Sequence, residues 1–268
     1  MIFPKHVIVF LLVTFVWSWG FWSIPYLHAN GVALPDFLLG LAAETGGPAA
    51  WGPLVGATVA ALTNGGPKAV LKLLKRCLSF RFGWRWYLAI FTIFPLIIGF
   101  SVGIELLFGG KMPPSEALQN PAIIPIAFIF ILLLGGPLQE EFGWRGTLLD
   151  PMQDRFGALS ASLIVGFVWG LWHLPLFHIP TDTSYYDRPF WGLLVTTMLI
   201  SVLFTWIYNN TNRSLVAMLI FHTMFNLSHY VFPAIGMDTA GLVLFALQFA
   251  AAAIVVFVYG ARTMVRNS

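Results

Sequence analysis

Residues 121–147 read PAIIPIAFIFILLLGGPLQEEFGWRGT, and the meaning of this one stretch decides how the rest of the chain is to be understood. Its first half carries no charge and, continued through Gly135 and Gly136, is long enough to enter a bilayer core, which takes roughly 20 residues of helix. Its second half places Glu140, Glu141 and Arg145 in the same span. Charged groups at that depth cost several kcal/mol unless they are paired or face a wet cavity, so the stretch combines a lipid-crossing helix with a reason to bury acid and base.

Working outward, stretches of the same apolar character recur at about 7–27, 46–64, 85–108, 157–178, 189–208, 214–232 and 240–261. The chain is 58% hydrophobic, 16% aromatic and 9% charged. Soluble domains use about 25% charged residues, so this chain lacks the polar groups to cover a water-facing surface. The spans follow one another too closely for any segment between them to form a core of its own. The expected architecture is therefore all-α: one multi-pass membrane domain over residues 1–268 with about eight transmembrane helices, solvated by the lipid bilayer. Trp17, Trp19 and Trp22 stand where a cleaved leader would need small residues, so the first span is expected to be retained. The single cysteine, Cys77, excludes an intrachain disulfide and a thiolate metal cluster.

An even number of spans puts both termini on one side. With both termini cytoplasmic, only Lys111 and Arg188 of the fourteen basic residues fall outside, which is the asymmetry that orients membrane proteins. The net charge of +3 thus needs no nucleic acid to explain it. Between the second and third spans, Lys68, Lys72, Lys75 and Arg76 alternate with Leu71 and Leu74, a spacing suited either to a short helix on anionic headgroups or to an ordinary cytoplasmic loop. The Gly52–Gly56 and Gly166–Gly170 pairs have the spacing that lets helices approach closely.

Three spans carry polar groups of the kind used in acid–base chemistry. In the fourth, Glu141 and Arg145 are four apart and can pair on one helix face, while Glu140, turned by about 100°, faces another partner. Glu140 is thus the candidate chemical carboxylate, with interfacial placement of both glutamates as the bland alternative. In the fifth, His173 shares a face with Trp169, and Gly170 between them leaves room for a neighbour. In the seventh, His222 and Asn226 present an imidazole and a carboxamide side by side, suited to donating to an oxyanion or to binding helices together. Glu105, His178 and His229 lie at or near span ends and are expected to be interfacial.

Taken in order, Glu140-Glu141-x-x-x-Arg145, an aromatic four residues before His173, and His222-x-x-x-Asn226 resemble the three motifs of the CaaX protease and bacteriocin-processing (ABI) family, to which the type II prenyl endopeptidases belong. The resemblance covers about residues 120–232. Trp169 stands where the family commonly has Phe, a change between apolar aromatics that reads as conservative. The resemblance implies an intramembrane endopeptidase in which Glu140 and His173 activate water, His222 and Asn226 hold the oxyanion, and Glu141 with Arg145 supports them. It implies a membrane-anchored or prenylated CaaX-type substrate; water activation by Glu140 and His173 without a required cofactor is the favoured reading, and the plasma membrane is the expected location because no organelle-specific address is recognised in the chain. A zinc ion held by Glu140, His173 and His222 is the metal-dependent variant of this reading, although His-Glu-x-x-His is absent from the chain. A proton-coupled transporter and a non-catalytic membrane scaffold are the alternatives.

The expected site, built from spans four, five and seven, meets one geometric difficulty. At about 1.5 Å per residue, Glu140 and His222 lie roughly 12 Å from the cytoplasmic ends of their spans, and His173 roughly 24 Å from the start of its own. For the three to meet, the fifth span has to protrude into the cytosol or tilt strongly.

Overall fold

The computed structural model describes residues 3–43, 47–182 and 184–266. Gly46, the expected start of the second span, and the extreme ends of the 1–268 unit lie outside the described residues. The helices are α1 (Lys5–Ala29), α2 (Asp36–Ala43), α3 (Gly52–Lys75), α4 (Trp84–Leu107), α5 (Glu116–Gln119), α6 (Ile124–Leu134), α7 (Pro137–Gly143), α8 (Leu149–Trp172), α9 (Phe190–Asn210), α10 (Leu215–Val231) and α11 (Asp238–Tyr259). No strand occurs among the described residues.

By length and composition, α1, α4, the run Pro137–His178, α9 and α11 can each cross a membrane, and Pro121–Leu134 and Leu215–Val231 are shorter apolar helices. The eight expected crossings thus correspond to five long segments, two shorter ones and the first half of α3. The surface agrees with a lipid solvent, since Phe257 is 91% exposed and Leu242 75% exposed. This is a polytopic all-α membrane protein.

Two breaks shape the helices around the motif residues. The stretch 121–147 is not one helix, because Gly135, Gly136 and Pro137 interrupt it between α6 and α7. Gly136 sits at φ +111, which a side chain tolerates poorly, and Pro137 has no N–H to continue the ladder. The second break is Gly157, at φ +76 and ψ 170 inside α8. The chain reverses there, since Trp169 beyond it reaches back to Glu140 before it. The amides of Ala158 and Leu159 then bond the carbonyls of Arg262 and Ala261, tying the reversal to the C-terminal segment.

This reversal resolves the depth difficulty. The fourth segment continues past residue 147, through a π turn at Trp144–Leu148 and the first part of α8. Glu140 and His173 consequently stand at nearly equal distances on either side of Gly157, about 25 Å each at about 1.5 Å per residue. A long helical arm carries the turn well beyond the level of the motif residues, and the return helix brings His173 level with Glu140.

Both glycine pairs make close helix approaches. A Cβ on Gly52 would meet Ser18 Oγ at 2.0 Å and one on Gly56 would meet the Phe10 carbonyl oxygen at 2.8 Å, so α1 lies directly on α3. A Cβ on Gly166 would lie 2.5 Å from both Met198 Cα and the Thr197 carbonyl oxygen, which are backbone atoms of α9 and cannot step aside. Gly166→Val is therefore expected to cost about 3 kcal/mol through overpacking, read as a lower unfolding temperature in detergent. Gly103→Val, where nothing lies within 4 Å of the added carbon, should leave that temperature in place.

The basic segment forms the last part of α3, after a further break at Gly65–Gly66. Lys68, Lys72, Leu71 and Leu74 are exposed on it. Arg76 turns inward instead, bonding Tyr208, the Gly146 carbonyl at 2.9 Å and the Arg213 carbonyl at 3.2 Å. Burial pushes the nearby Cys77 thiol up to about 11, against the pull of Arg76. Glu105, partly buried near the end of α4, accepts the Ala240 amide at 2.8 Å and caps the first turn of α11.

Candidate active site

The break before α7 puts three polar residues, Gln139, Glu140 and Glu141, on the first turns of a new helix, all buried. Gln139 Oε1 accepts the Gly136 N–H at 2.8 Å and closes that turn. Glu140 Oε1 leans over the break, 2.8 Å from where a Gly136 side chain would begin, so glycine is required there for space as well as for backbone angle.

The two carboxylates part as the helical spacing predicts. Glu141 Oε1 accepts Arg145 Nη1 at 2.8 Å and pairs with His222 Nδ1, also at 2.8 Å. Arg145 is sandwiched between aromatic faces, its guanidinium carbon 4.6 Å from the Trp169 ring centre and 4.0 Å from that of Phe204. Ser201 Oγ accepts from its other terminal nitrogen at 3.4 Å. Taking this cation out of water is thus offset by one carboxylate, one hydroxyl and two π faces.

Glu140 turns away from that pair. Its Oε2 accepts two indole N–H groups, from Trp169 at 2.5 Å and Trp144 at 3.2 Å. Trp169 also stands between the two imidazoles, with ring centres 6.3 Å from His173 and 5.4 Å from His222. Residues of α7, α8 and α10 therefore gather around a single tryptophan.

His173 ends α8 because Leu174-Pro175 cannot continue the helix. Its Nδ1 donates to the Trp169 carbonyl at 2.9 Å, which leaves Nε2 as the free ring atom. His222, with Nδ1 on Glu141, likewise presents Nε2. Asn226 donates from Nδ2 to the Gly135 carbonyl at 2.8 Å, fastening α10 to the break below Glu140 and keeping a second N–H to give.

Several residues here were not singled out by sequence reasoning. Trp144 is four residues after Glu140, so the spacing argument used for Glu141 and Arg145 would have found it. Treating Trp169 as a conservative aromatic change was incorrect: the indole N–H makes the shortest hydrogen bond to Glu140, and a phenyl ring has no such donor. Tyr185 lies on the loop after α8, its ring 5.7 Å from that of His173 and 5.3 Å from that of Phe177. Asp182 Oδ1 fixes the loop by accepting the Ser184 and Tyr185 amides. Burial, then the charges of Glu140 and Asp182, push the Tyr185 phenol up, so it keeps its proton at neutral pH and above. Nothing in the sequence pattern ties this loop to the motifs.

Among the described residues, no three His, Cys, Asp or Glu side chains converge as a metal ion requires. Glu140 Oε2 and the Nδ1 atoms of both histidines are already engaged by protein groups. The atoms left open are Glu140 Oε1 and the Nε2 atoms of His173 and His222. A cavity of about 780 Å³, lined by none of the motif residues, is walled by Trp22 and Leu39 and by the segment after α8, with Leu176, Ile179, Asp182 and Ser184.

Residues 122–228, which include every motif residue, match the family model described as "Type II CAAX prenyl endopeptidase Rce1-like". The chain is also 28% identical over 177 residues to the "CAAX prenyl protease 2" of Methanococcus maripaludis, an alignment covering 63% of this chain and 64% of that protein. The segment 122–228 is thus similar to the Rce1-like type II CaaX prenyl endopeptidases, and the alignment spans about two thirds of either chain.

Proposed function

We propose that the protein is an intramembrane endopeptidase that cleaves a membrane-anchored, prenylated CaaX-type peptide. The observation that carries this reading is the gathering of Glu140, His173 and His222 about Trp169, within a segment similar to type II CaaX prenyl endopeptidases. In this reading Glu140, through Oε1, takes a proton from a water molecule that also meets His173 Nε2, and the water oxygen attacks the peptide carbonyl. Asn226, with its second amide N–H, and His222, through Nε2, donate to the oxyanion. Glu141 and Arg145 orient His222 from behind. The site works within one protease unit spanning the chain and requires no metal step. The apolar part of the 780 Å³ cavity, with Trp22, Leu39, Leu176 and Ile179, suits the substrate's isoprenoid chain.

The basic residues on the 68–85 segment support a cytoplasmic placement of both termini, with the plasma membrane as the location. No observation favours transport or a scaffold role. The test is a fluorogenic prenylated CaaX peptide beside its unprenylated twin, given to the purified protein in detergent with and without chelator. Cleavage of the prenylated peptide at a kcat/KM at least about tenfold higher, unaffected by chelator, is the expected outcome. Equal cleavage of both would remove the prenyl group from the substrate class, and inhibition by chelator would overturn the metal-free reading.

A further inference from the structure

A carboxylate that acts as a base on water needs one oxygen free and the other fixed, because a group able to rotate spends little time in the reactive geometry. Helix packing alone does not provide this for Glu140, whose side chain has three rotatable bonds. What distinguishes the surroundings of Glu140 is that both of its near donors are indoles and both address the same oxygen. Trp169 approaches Oε2 from the return helix at 2.5 Å and Trp144 from one turn further along its own chain at 3.2 Å. Neither ring is free to follow the carboxylate if it moves. Trp169 is wedged against Arg145 and Phe204, with ring centres 5.9 Å apart for the latter pair. Trp144 is completely buried between Phe10 and Trp172, at 5.5 and 5.9 Å.

We propose that Trp169 and Trp144 are positioning residues that clamp Oε2 of Glu140, so that Oε1, poised over Gly136, is the only oxygen able to take the proton. The inference rests on the protease reading and assigns to the indole nitrogens a task that the aromatic rings as such do not perform. Hydrogen bonds to an ionised acceptor are short and strong, and two on one oxygen also define the plane of the carboxylate.

The experiment separates the nitrogen from the ring. Trp169→Phe keeps a π face under Arg145 and loses the donor. Incorporation of β-(3-benzothienyl)alanine at position 169 keeps the whole bicycle and replaces N–H by sulfur. Both proteins are expected to lose on the order of 100-fold in kcat for the prenylated peptide, with KM within about twofold of wild type. A benzothienyl protein with wild-type kcat would overturn the clamp. A second arm needs no substrate: the ultraviolet resonance Raman band that reports indole N–H hydrogen bonding is compared between wild type and Glu140→Ala. A loss of strongly bonded indole signal in the variant is expected, and identical spectra would overturn the clamp. If the wild-type protein fails to cleave the peptide, the protease reading falls, and the Raman arm still decides whether the two indoles hold Glu140.

Discussion

Glu140→Gln should lower kcat for the prenylated peptide by between about 100- and 10,000-fold, the contribution general bases make. Glutamine is the informative replacement because it is nearly isosteric. Its amide oxygen can still accept from Trp169 and Trp144, so the clamp and the buried volume are kept. What it lacks is an oxygen able to take a proton. KM should therefore stay near the wild-type value while kcat falls, the pattern of an interaction made only in the transition state. The measurement is steady-state cleavage by the two proteins in the same detergent, with matched unfolding temperatures as the control for folding. Wild-type turnover by the glutamine variant would remove Glu140 from the role of base.

Arg145→Met is expected to cost about 3–5 kcal/mol of stability, the loss seen when one partner of a buried ion pair is deleted. Glu141 and Arg145 are both buried, so neither can turn to water when its partner is removed. Glu141 Oε2 already has no bonding partner among the described residues, and without Arg145 its Oε1 keeps only His222. The sandwich between Trp169 and Phe204 would lose its filling as well. A fall in thermal unfolding temperature in detergent is the readout. The double variant Glu141→Leu/Arg145→Met should recover part of the loss, since it removes the stranded charge together with its counter-ion. An unchanged unfolding temperature in the single variant would mean that Glu141 is not held as a charged group.

These predictions lean on features that differ in how far the sequence disclosed them. The apolar spans follow from composition over about 20 residues, and the Glu141–Arg145 pair and the separate orientation of Glu140 follow from counting along a helix, because each of these two is a relation within about one turn. The two glycine pairs were legible for the same reason. The chain reversal at Gly157 was not, because a lone glycine between Phe156 and Ala158 gives no hint that its φ is positive. Reading residues 147–157 as a loop between spans hid the long arm and created the apparent mismatch of depth at His173. The roles of Trp169 and Tyr185 depend on contacts across 29 residues and on a loop folded back over the helix end, and no periodicity encodes either. Trp169 also shows the limit of grouping residues by hydrophobicity, since the property that matters at that position is its one polar hydrogen.

The break between α6 and α7 has a consequence for the supply of the second reactant. In an unbroken helix the Leu132 and Leu133 carbonyls would accept from the amides of residues 136 and 137. Here the Gly136 N–H is given to Gln139, and Pro137 has none to give. Two backbone oxygens are thus left without their helical donors within an apolar segment, where a carbonyl with no donor at all costs several kcal/mol. Water is the smallest donor that can reach them. The same glycines and proline that aim Glu140 therefore open two acceptors at the foot of its helix, and in the proposed protease a water held there would be the molecule that hydrolysis consumes.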